Sequence, residues 1–528
     1  MSNNWWKGAV IYQIYPRSYQ DSNNDGIGDI PGITSRLEHI AQLGADAIWL
    51  SPIFTSPMKD MGYDVSDYCD IDPTFGTLAD FDAMVEKAHS LGLKVMIDQV
   101  ISHSSDQHPL FQQSRQDKTN DKADWYVWAD PNPDGSAPNN WQAIFGGNGW
   151  TWEPRRRQYY LHNFLAEQPD FNFHNPEVQQ YHLDNMRFWL DRGVDGFRLD
   201  TANFYFHDKH LRNDPANPKT DLSVGEWNPY HYLYHIYSKN QPENLAFLEK
   251  MRALLDEYDN RTLVGEIGEA HHPIEIMGQY TSGRRLHMAY SFEMLGPTFT
   301  PEHFRHQIEA FFQGAPNGWP CWALSNHDVV RHTSRWHRDG MDWNDLAKQA
   351  GALLLTQQGS ICIYQGEELG MPESDLEYHE LTDPQGLNFW PADKGRDGCR
   401  TPMTWSATES HGGFAEAKPW LPVKQPQQQR AADTQVGVDG SVFETYRELL
   451  KIRGNSEALR TGATKYLHSG DAILDFVRGD QVQCIFNLSA QSQTYTARAG
   501  EVLLSNAATQ NGNEWQLEAN GFVLLSLG

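Results

Sequence analysis

Eight short β-rich runs, most of them followed by a stretch with helical apolar spacing, restrict this 528-residue chain more than any other feature. The runs fall at 9–15, 47–54, 94–103, 196–200, 261–267, 287–292, 322–328 and 360–368. Behind the first, Ile33, Leu37, Ile40 and Leu43 recur at helical intervals, and behind the second Phe81, Met84, Val85, Ala88 and Leu91 do the same. A further helix is expected around 176–192. Runs this apolar suit strands covered on both faces, and eight such repeats predict an α/β fold, a (β/α)8 TIM barrel. A doubly wound open sheet is the alternative that the pattern alone allows.

The repeat is broken in two places. Residues 104–170 are polar and rich in Pro, Asn, Gly and aromatics. They are too long for a connecting loop, so a small inserted domain is expected after strand three. The barrel is then expected as residues 1–103 and 171–457, with an irregular insertion at about 369–440 and a helix at 443–453. Residues 458–528 carry short alternating runs and read as a C-terminal β-sandwich. No single core serves a chain of this length, which agrees with several domains.

Charge narrows the partners. With 42 basic and 69 acidic residues the net charge is −27, which argues against nucleic acid and anionic membranes as partners. Five scattered cysteines without a CxxC pair indicate neither a disulfide framework nor a zinc site. No apolar run reaches the length of a signal core or a membrane span, so a cytoplasmic location is expected, and the sequons at Asn260 and Asn487 carry no weight.

Barrel enzymes keep their reacting groups where strands end. Strand three ends in Asp98 and reaches His103. Strand four ends in Asp200, with Arg198 two residues earlier on the same face, where its fixed charge favours an ionised carboxylate. Strand five ends in Glu266, and strand seven runs into Asn326, His327 and Asp328. Three carboxyls, Asp200, Glu266 and Asp328, are thus expected at one mouth. That set suits glycosyl transfer, in which one carboxylate attacks or steadies the sugar carbon and another protonates the departing oxygen.

The segments DQVISH, GFRLD, VGEI and SNHD, in this order, resemble the four signature regions of the α-amylase superfamily, glycoside hydrolase family 13. The opening WWKGAVIYQIYPRSYQDSNNDGIGDIPGI is similar to the α-glucosidase and oligo-1,6-glucosidase branch. The resemblance implies a retaining enzyme with a covalent glucosyl intermediate: Asp200 as nucleophile, Glu266 as general acid/base and Asp328 as transition-state stabiliser. It also implies that His103 and His327 bind ring hydroxyls and that Arg198 keeps Asp200 charged. Glu269 is the rival acid, disfavoured by its position past the strand. In MKDMGYDVSDY the resemblance implies Tyr63 as the stacking platform, Asp60 as the clamp on the far hydroxyls and Asp64 as a structural neighbour. In RDGCRTPM it implies an Arg paired with that Asp, taken as Arg400 rather than Arg396. Phe145 and Phe164 are candidate apolar walls.

DSNNDGIGD offers oxygens at Asp21, Asn23, Asp25 and Asp29 with the Ile27 carbonyl between them. It starts like an EF-hand loop, although position twelve is Gly32. In the branch it resembles, such a loop holds one structural Ca²⁺ or Mg²⁺. No organic cofactor is expected. Ser102 stands where the first signature usually has Asn, so the calcium site shared by the long-polymer amylases is expected to be missing. Thr201 directly follows Asp200, and in this branch Thr or Ala there goes with α-1,4 preference and Val with α-1,6 activity.

The expected function is therefore an exo-acting α-glucosidase on maltose and short oligosaccharides, as a monomer or weak homo-oligomer. A transglucosylase or sucrose-acting enzyme is the alternative within the same chemistry. A non-catalytic binding homologue is disfavoured, because all three carboxyls are kept.

Overall fold

Capping and glycine signals fix the first two βα repeats. In the computed structural model, which describes residues 4–218, 227–269 and 271–528, β1 (Val10–Ile14) leads to α1 (Ile30–Leu43). Asp29 caps α1 by accepting the Gly32 N–H at 2.6 Å, and Gly44 ends it at φ 100°, where a Cβ would be strained. After β2 (Ala47–Leu50), helix α2 (Leu78–Ser90) begins with a reciprocal capping box between Thr77 and Asp80. The barrel continues with β3 (Lys94–Gln99), α3 (Pro176–Asp191), β4 (Gly196–Leu199), α4 (Glu243–Leu255), β5 (Thr262–Ile267), α5 (Pro273–Thr281) and β6 (Met288–Ser291). It ends with α6 (Pro301–Gly314), β7 (Cys321–Ala323), α7 (Trp343–Thr356), β8 (Ser360–Tyr364) and α8 (Val442–Gly454).

All pairings among the eight strands are parallel, in the order β6-β5-β4-β3-β2-β1-β8-β7. A parallel bridge from Ala289 to Pro320 joins β6 to the entry of β7 and closes the ring, which excludes the open sheet. Ile11, Trp49, Met96, Val264, Met288 and Cys362 fill the interior. Gly196 lets β4 approach β5, because a Cβ there would lie 2.7 Å from the Thr262 carbonyl oxygen. Strands two, three and seven are shorter than the apolar runs that announced them. Beyond Leu50, Gln99 and Ala323 the chain leaves the ring to build the mouth.

The segment after β3 leaves and returns at one place, where His103 and Asp170 form an antiparallel bridge. Between them lies a three-stranded sheet of Trp128–Ala129, Trp150–Glu153 and Gln158–Leu161 around Trp141 and Trp150. The stretch between β8 and α8 has only short helical turns, yet it places Asp383, Arg396 and Arg400 over the mouth.

The C-terminal unit comprises β9 (Thr464–Ser469), β10 (Ile473–Arg478), β11 (Val482–Asn487), β12 (Gln493–Thr496), β13 (Glu501–Asn511) and β14 (Glu514–Ser526). Hydrogen bonds join all six strands into one antiparallel sheet. The long β14 pairs with β12 through residues 514–517 and with β11 through 522–526, and Ala507 and Asn520 turn through positive φ between those halves. Its edge docks on α7, where Gln349 donates to the Asn487 and Gly521 carbonyls.

Candidate active site

Register alone brings the first functional groups together. Asp98 lies opposite Arg198 across β3 and β4, and Glu266 opposite Tyr290 across β5 and β6, so each pair points to the same side of its parallel ladder. Arg198 is fully buried and serves three carboxyls. Its Nη1 donates to both Asp98 oxygens at 2.9 and 3.0 Å and to Asp200 Oδ1 at 2.7 Å, while Nη2 forms a 2.7 Å ion pair with Glu266 Oε1. The Tyr290 hydroxyl accepts from Nε and Nη2 at 3.1 and 2.8 Å. Asp200 and Glu266 are thus held at the two nitrogens of one planar group.

Burial pushes Asp98, Asp200 and Glu266 up to about 7, against the pull of Arg198, and their mutual repulsion adds to the rise. One guanidinium cannot balance three buried anions, so the cluster keeps a proton near neutrality. Asp328 differs. Burial acts to raise it, but His327, Arg396 and Arg400 hold it well below the carboxylate range, so it is an anion throughout.

Around Asp328 the chain forms the closed end of the mouth. Arg400 Nη2 reaches Asp328 Oδ1 at 2.9 Å and its Nε donates to the His327 carbonyl at 2.7 Å. Arg396 Nη2 reaches Asp60 Oδ1 at 3.0 Å, and its Nη1 lies 3.4 Å from Asp328 Oδ1. The partner of Asp60 is therefore Arg396, and the assignment to Arg400 is corrected. Arg396 caps the helical turn Asp397–Arg400, and Arg400, at its far end, comes out against strand seven instead. Asp383 grips Arg396 from behind through the backbone N–H at 2.6 Å, Nε at 3.0 Å and Nη2 at 2.7 Å.

Tyr63 stacks on His327 with centroids 5.4 Å apart and planes 2° from parallel, and their polar ends are hydrogen-bonded. Gln13 from β1 reaches His327 Nδ1 at 2.7 Å. His103 Nε2 lies 3.0 Å from the Tyr63 carbonyl oxygen, and Gln168 Nε2 lies within 3.1 Å of both His103 Nε2 and Asp60 Oδ2. Phe164 packs 5.1 Å from His103, and the Arg396 guanidinium lies over Phe145 at 4.7 Å. Asp64 takes the N–H groups of Lys59 and Asp60 at 2.9 and 3.0 Å and acts as the turn's cap. Asp60, Tyr63, His103, Phe145, Phe164 and Arg396 line a cavity of about 790 Å³ that continues past Asp200, Thr201 and Glu266 toward Tyr230, His231 and Gln307.

Glu269 also faces this cavity, but as an anion. Burial would raise it, whereas Lys239, the His271 N–H and Asn240 hold it low. A group that stays charged is a poor proton donor, which favours Glu266. The sequence reading missed Tyr290, Gln168, Asp383 and Lys239, and ranked Arg396 behind Arg400. Tyr290, on strand six, was within reach of the strand-end logic applied to strands three, four, five and seven. The others sit on loops whose path no periodicity reveals.

Loop 21–29 folds as nested Asx turns. Asp21 accepts the N–H groups of Asn23, Asn24 and Gly26 at 3.0, 2.6 and 2.8 Å, Asn23 accepts that of Asp25 at 3.0 Å, and Asp25 accepts that of Ile27 at 2.8 Å. Asp29 is engaged by Ser22 and by the start of α1. Among the described residues no three His, Cys, Asp or Glu side chains are grouped to hold a metal. The donor set is all oxygen, relies on an amide and a backbone carbonyl, and suits only a hard cation.

A family model described as "Alpha amylase, catalytic domain" matches residues 13–462. A probable alpha-glucosidase of Rhizobium meliloti (strain 1021) is 55% identical over 501 residues, covering 93% of this chain and 90% of that protein. An oligo-1,6-glucosidase of Parageobacillus thermoglucosidasius is 35% identical over 561 residues, 97% of each chain. Among solved structures, an alpha-glucosyl transfer enzyme superposes with a TM-score of 0.95 at 50% identity, covering 99% of both chains.

Proposed function

The chain belongs to the α-amylase family of glycoside hydrolases, and from that premise we propose that it is a retaining, exo-acting α-glucosidase that releases glucose from maltose and short α-glucosides. The observation that carries this reading is Arg198 holding Asp200 and Glu266 side by side in a cavity closed at one end by Asp60, Arg396 and Phe145. A closed end admits one terminal sugar and no continuing chain.

In the first step the Asp200 carboxylate attacks the anomeric carbon, the bond to the departing oxygen breaks, and Glu266 gives that oxygen its proton. In the second, Glu266 takes a proton from water, whose oxygen displaces Asp200, so two inversions restore the α configuration. The proton that the crowded cluster keeps near neutrality is the one Glu266 gives up in the first step and regains in the second. Permanently anionic Asp328 steadies the positive charge that develops on the sugar, and His103 and His327 meet its hydroxyls. Thr201 beside the nucleophile supports α-1,4 over α-1,6 preference.

The cavity beyond Glu266 and the similarity to a glucosyl transfer enzyme favour transglucosylation as a second reading, in which an acceptor sugar replaces water at the same intermediate. Loop 21–29 is proposed to hold one Ca²⁺ or Mg²⁺ through Asp21, Asn23, Asp25, Ile27 and Asp29, which would fix the start of α1. A cytoplasmic monomer or weak homo-oligomer completes the proposal. Five unpaired thiols support the compartment.

The test is a panel of maltose, isomaltose, sucrose, trehalose and p-nitrophenyl α-glucoside, with the first-released anomer followed by NMR. Maltose cleaved faster than isomaltose, with α-glucose appearing first, is the expected result. Initial β-glucose would refute retention, and faster isomaltose cleavage would refute the linkage preference.

A further inference from the structure

Ser102, the residue that departs from the usual Asn of the first signature, has no part in the mechanism above, yet it is 3% exposed and lies beside the nucleophile's neighbour. Its Oγ lies 2.8 Å from His103 Nδ1 and 3.2 Å from Thr201 Oγ1. Thr201 in turn touches both reacting carboxyls. Its hydroxyl donates to Asp200 Oδ2 at 3.3 Å and its backbone N–H to Glu266 Oε2 at 3.0 Å. That N–H can reach Glu266 because Thr201 adopts φ +40°, a left-handed conformation that strains a β-branched residue and persists only where its surroundings hold it. Among the described residues the Thr201 hydroxyl has two side-chain partners, Asp200 and Ser102.

We propose that Ser102 is a positioning residue that tethers the Thr201 hydroxyl, and through it the left-handed turn that presents Thr201 to Asp200 and Glu266. The tether makes one chain of hydrogen bonds from His103, which borders the sugar end, through Ser102 and Thr201 to the nucleophile. The chain is continuous when His103 carries its proton on Nδ1: Nδ1 donates to Ser102, Ser102 to Thr201 and Thr201 to Asp200. When Nδ1 is unprotonated, Ser102 gives it its one proton and accepts from Thr201, so the Ser102–Thr201 tether holds while the Thr201 proton turns away from Asp200. An Asn in this place would bring a longer, planar amide against His103 and Thr201, so the Ser and the Thr form a matched pair. Because the residue after the nucleophile goes with linkage preference in the branch resembled, loosening Thr201 should be felt in the choice of leaving group as well as in rate. The inference rests on the proposed reading of Thr201 as a linkage determinant.

The experiment compares the full-length wild type with S102A, S102C, T201V and S102A/T201V on maltose and isomaltose, each variant checked for fold by circular dichroism melting. S102A is expected to lower kcat on maltose about tenfold, the worth of one buried hydrogen bond on a reacting group, with KM moving less than about twofold. The maltose-to-isomaltose ratio of kcat/KM should shift toward that of T201V. The double variant should match T201V within about twofold, because the tether has nothing left to hold. S102C keeps the volume with a weaker hydrogen-bonding group and should reproduce the shift, which keeps the test open should S102A not fold. Wild-type ratios in both serine variants, or single effects that simply multiply in the double variant, would overturn the proposal. A wild type that prefers isomaltose would instead count against the linkage reading, while the coupling between 102 and 201 would still be read from kcat on the faster substrate.

Discussion

Strand β4 has a charged cluster at each end, and the two are built in opposite senses. Asp195, just before the strand, is a single buried carboxylate with several donors. Its Oδ2 meets His89 Nε2 at 2.6 Å and the Val95 N–H at 2.9 Å, and its Oδ1 meets Lys94 Nζ at 3.1 Å and Arg261 Nη1 at 3.0 Å. Arg198, near the end of the strand, is a single buried cation shared by Asp98, Asp200 and Glu266. Burial acts to raise Asp195, but His89, the Val95 N–H and Lys94 hold it low, whereas burial prevails at the other end. Three residues apart, one centre is an anion with more donors than its charge requires and the other a cation with more carboxyls than it can balance. Surplus donors at the base suit stability; surplus carboxyls at the mouth suit chemistry that needs both an anion and an acid.

The strongest way to break this comparison is to remove one carboxyl from each end. D200N should reduce maltose turnover by roughly 10⁴-fold or more, since no other group is placed to attack. Its thermal midpoint should equal or exceed that of the wild type, because it relieves crowding among like charges. A midpoint several degrees lower would mean that the mouth cluster is a stabilising network and that the contrast is false.

D195N is the counterpart. Loss of a buried anion leaves Lys94 and Arg261 without their partner and should cost about 2 kcal/mol, less than for a fully buried pair because His89 and Lys94 are 37% and 36% exposed. The readout is a lower thermal midpoint with kcat on maltose within about twofold. A large loss of activity at unchanged stability would show that the base of the strand orients the mouth directly.

The two ends also differed in how far the sequence revealed them. The mouth was legible because its groups follow a rule: a carboxyl toward the end of the third, fourth, fifth and seventh apolar runs, with Arg198 and Asp200 on one face by period two. The base followed no such rule. His89 comes from the last turn of α2, Lys94 from the first residue of β3 and Arg261 from just before β5, and only the parallel pairing of β3, β4 and β5 brings those three beside Asp195. The same limit explains Arg396 and Arg400. Both stand in one short segment four residues apart, and which of them faces Asp60 depends on the turn between them and on Asp383, a partner supplied by an irregular loop. Ser102 lay between these cases. Its departure from the usual Asn was visible, but its contact with Thr201 was not, since that contact joins the ends of two neighbouring strands.

The smallest expected effect separates the ends by pH. Asp195 has a depressed value in the folded protein, so its contribution is complete above the ordinary carboxylate value of about 4 and is lost only as the pH falls through its lower folded value. Between pH 5 and 8 the deficit of D195N should therefore stay flat. Asp98, Asp200 and Glu266 are raised to about 7, so the folded state holds protons that the unfolded chain has already released. Their favourable contribution is whole below about 4 and fades as the pH climbs to about 7, where ionisation reaches the crowded site. The wild type should consequently lose stability relative to D200N across pH 5 to 8, by an amount on the order of 1 kcal/mol. Thermal midpoints of the three proteins at four pH values between those limits measure both slopes. Parallel slopes for D200N and D195N would show that the ends of β4 respond to protons alike, and the proton held at the mouth would then have to come from somewhere other than the surplus of carboxyls around Arg198.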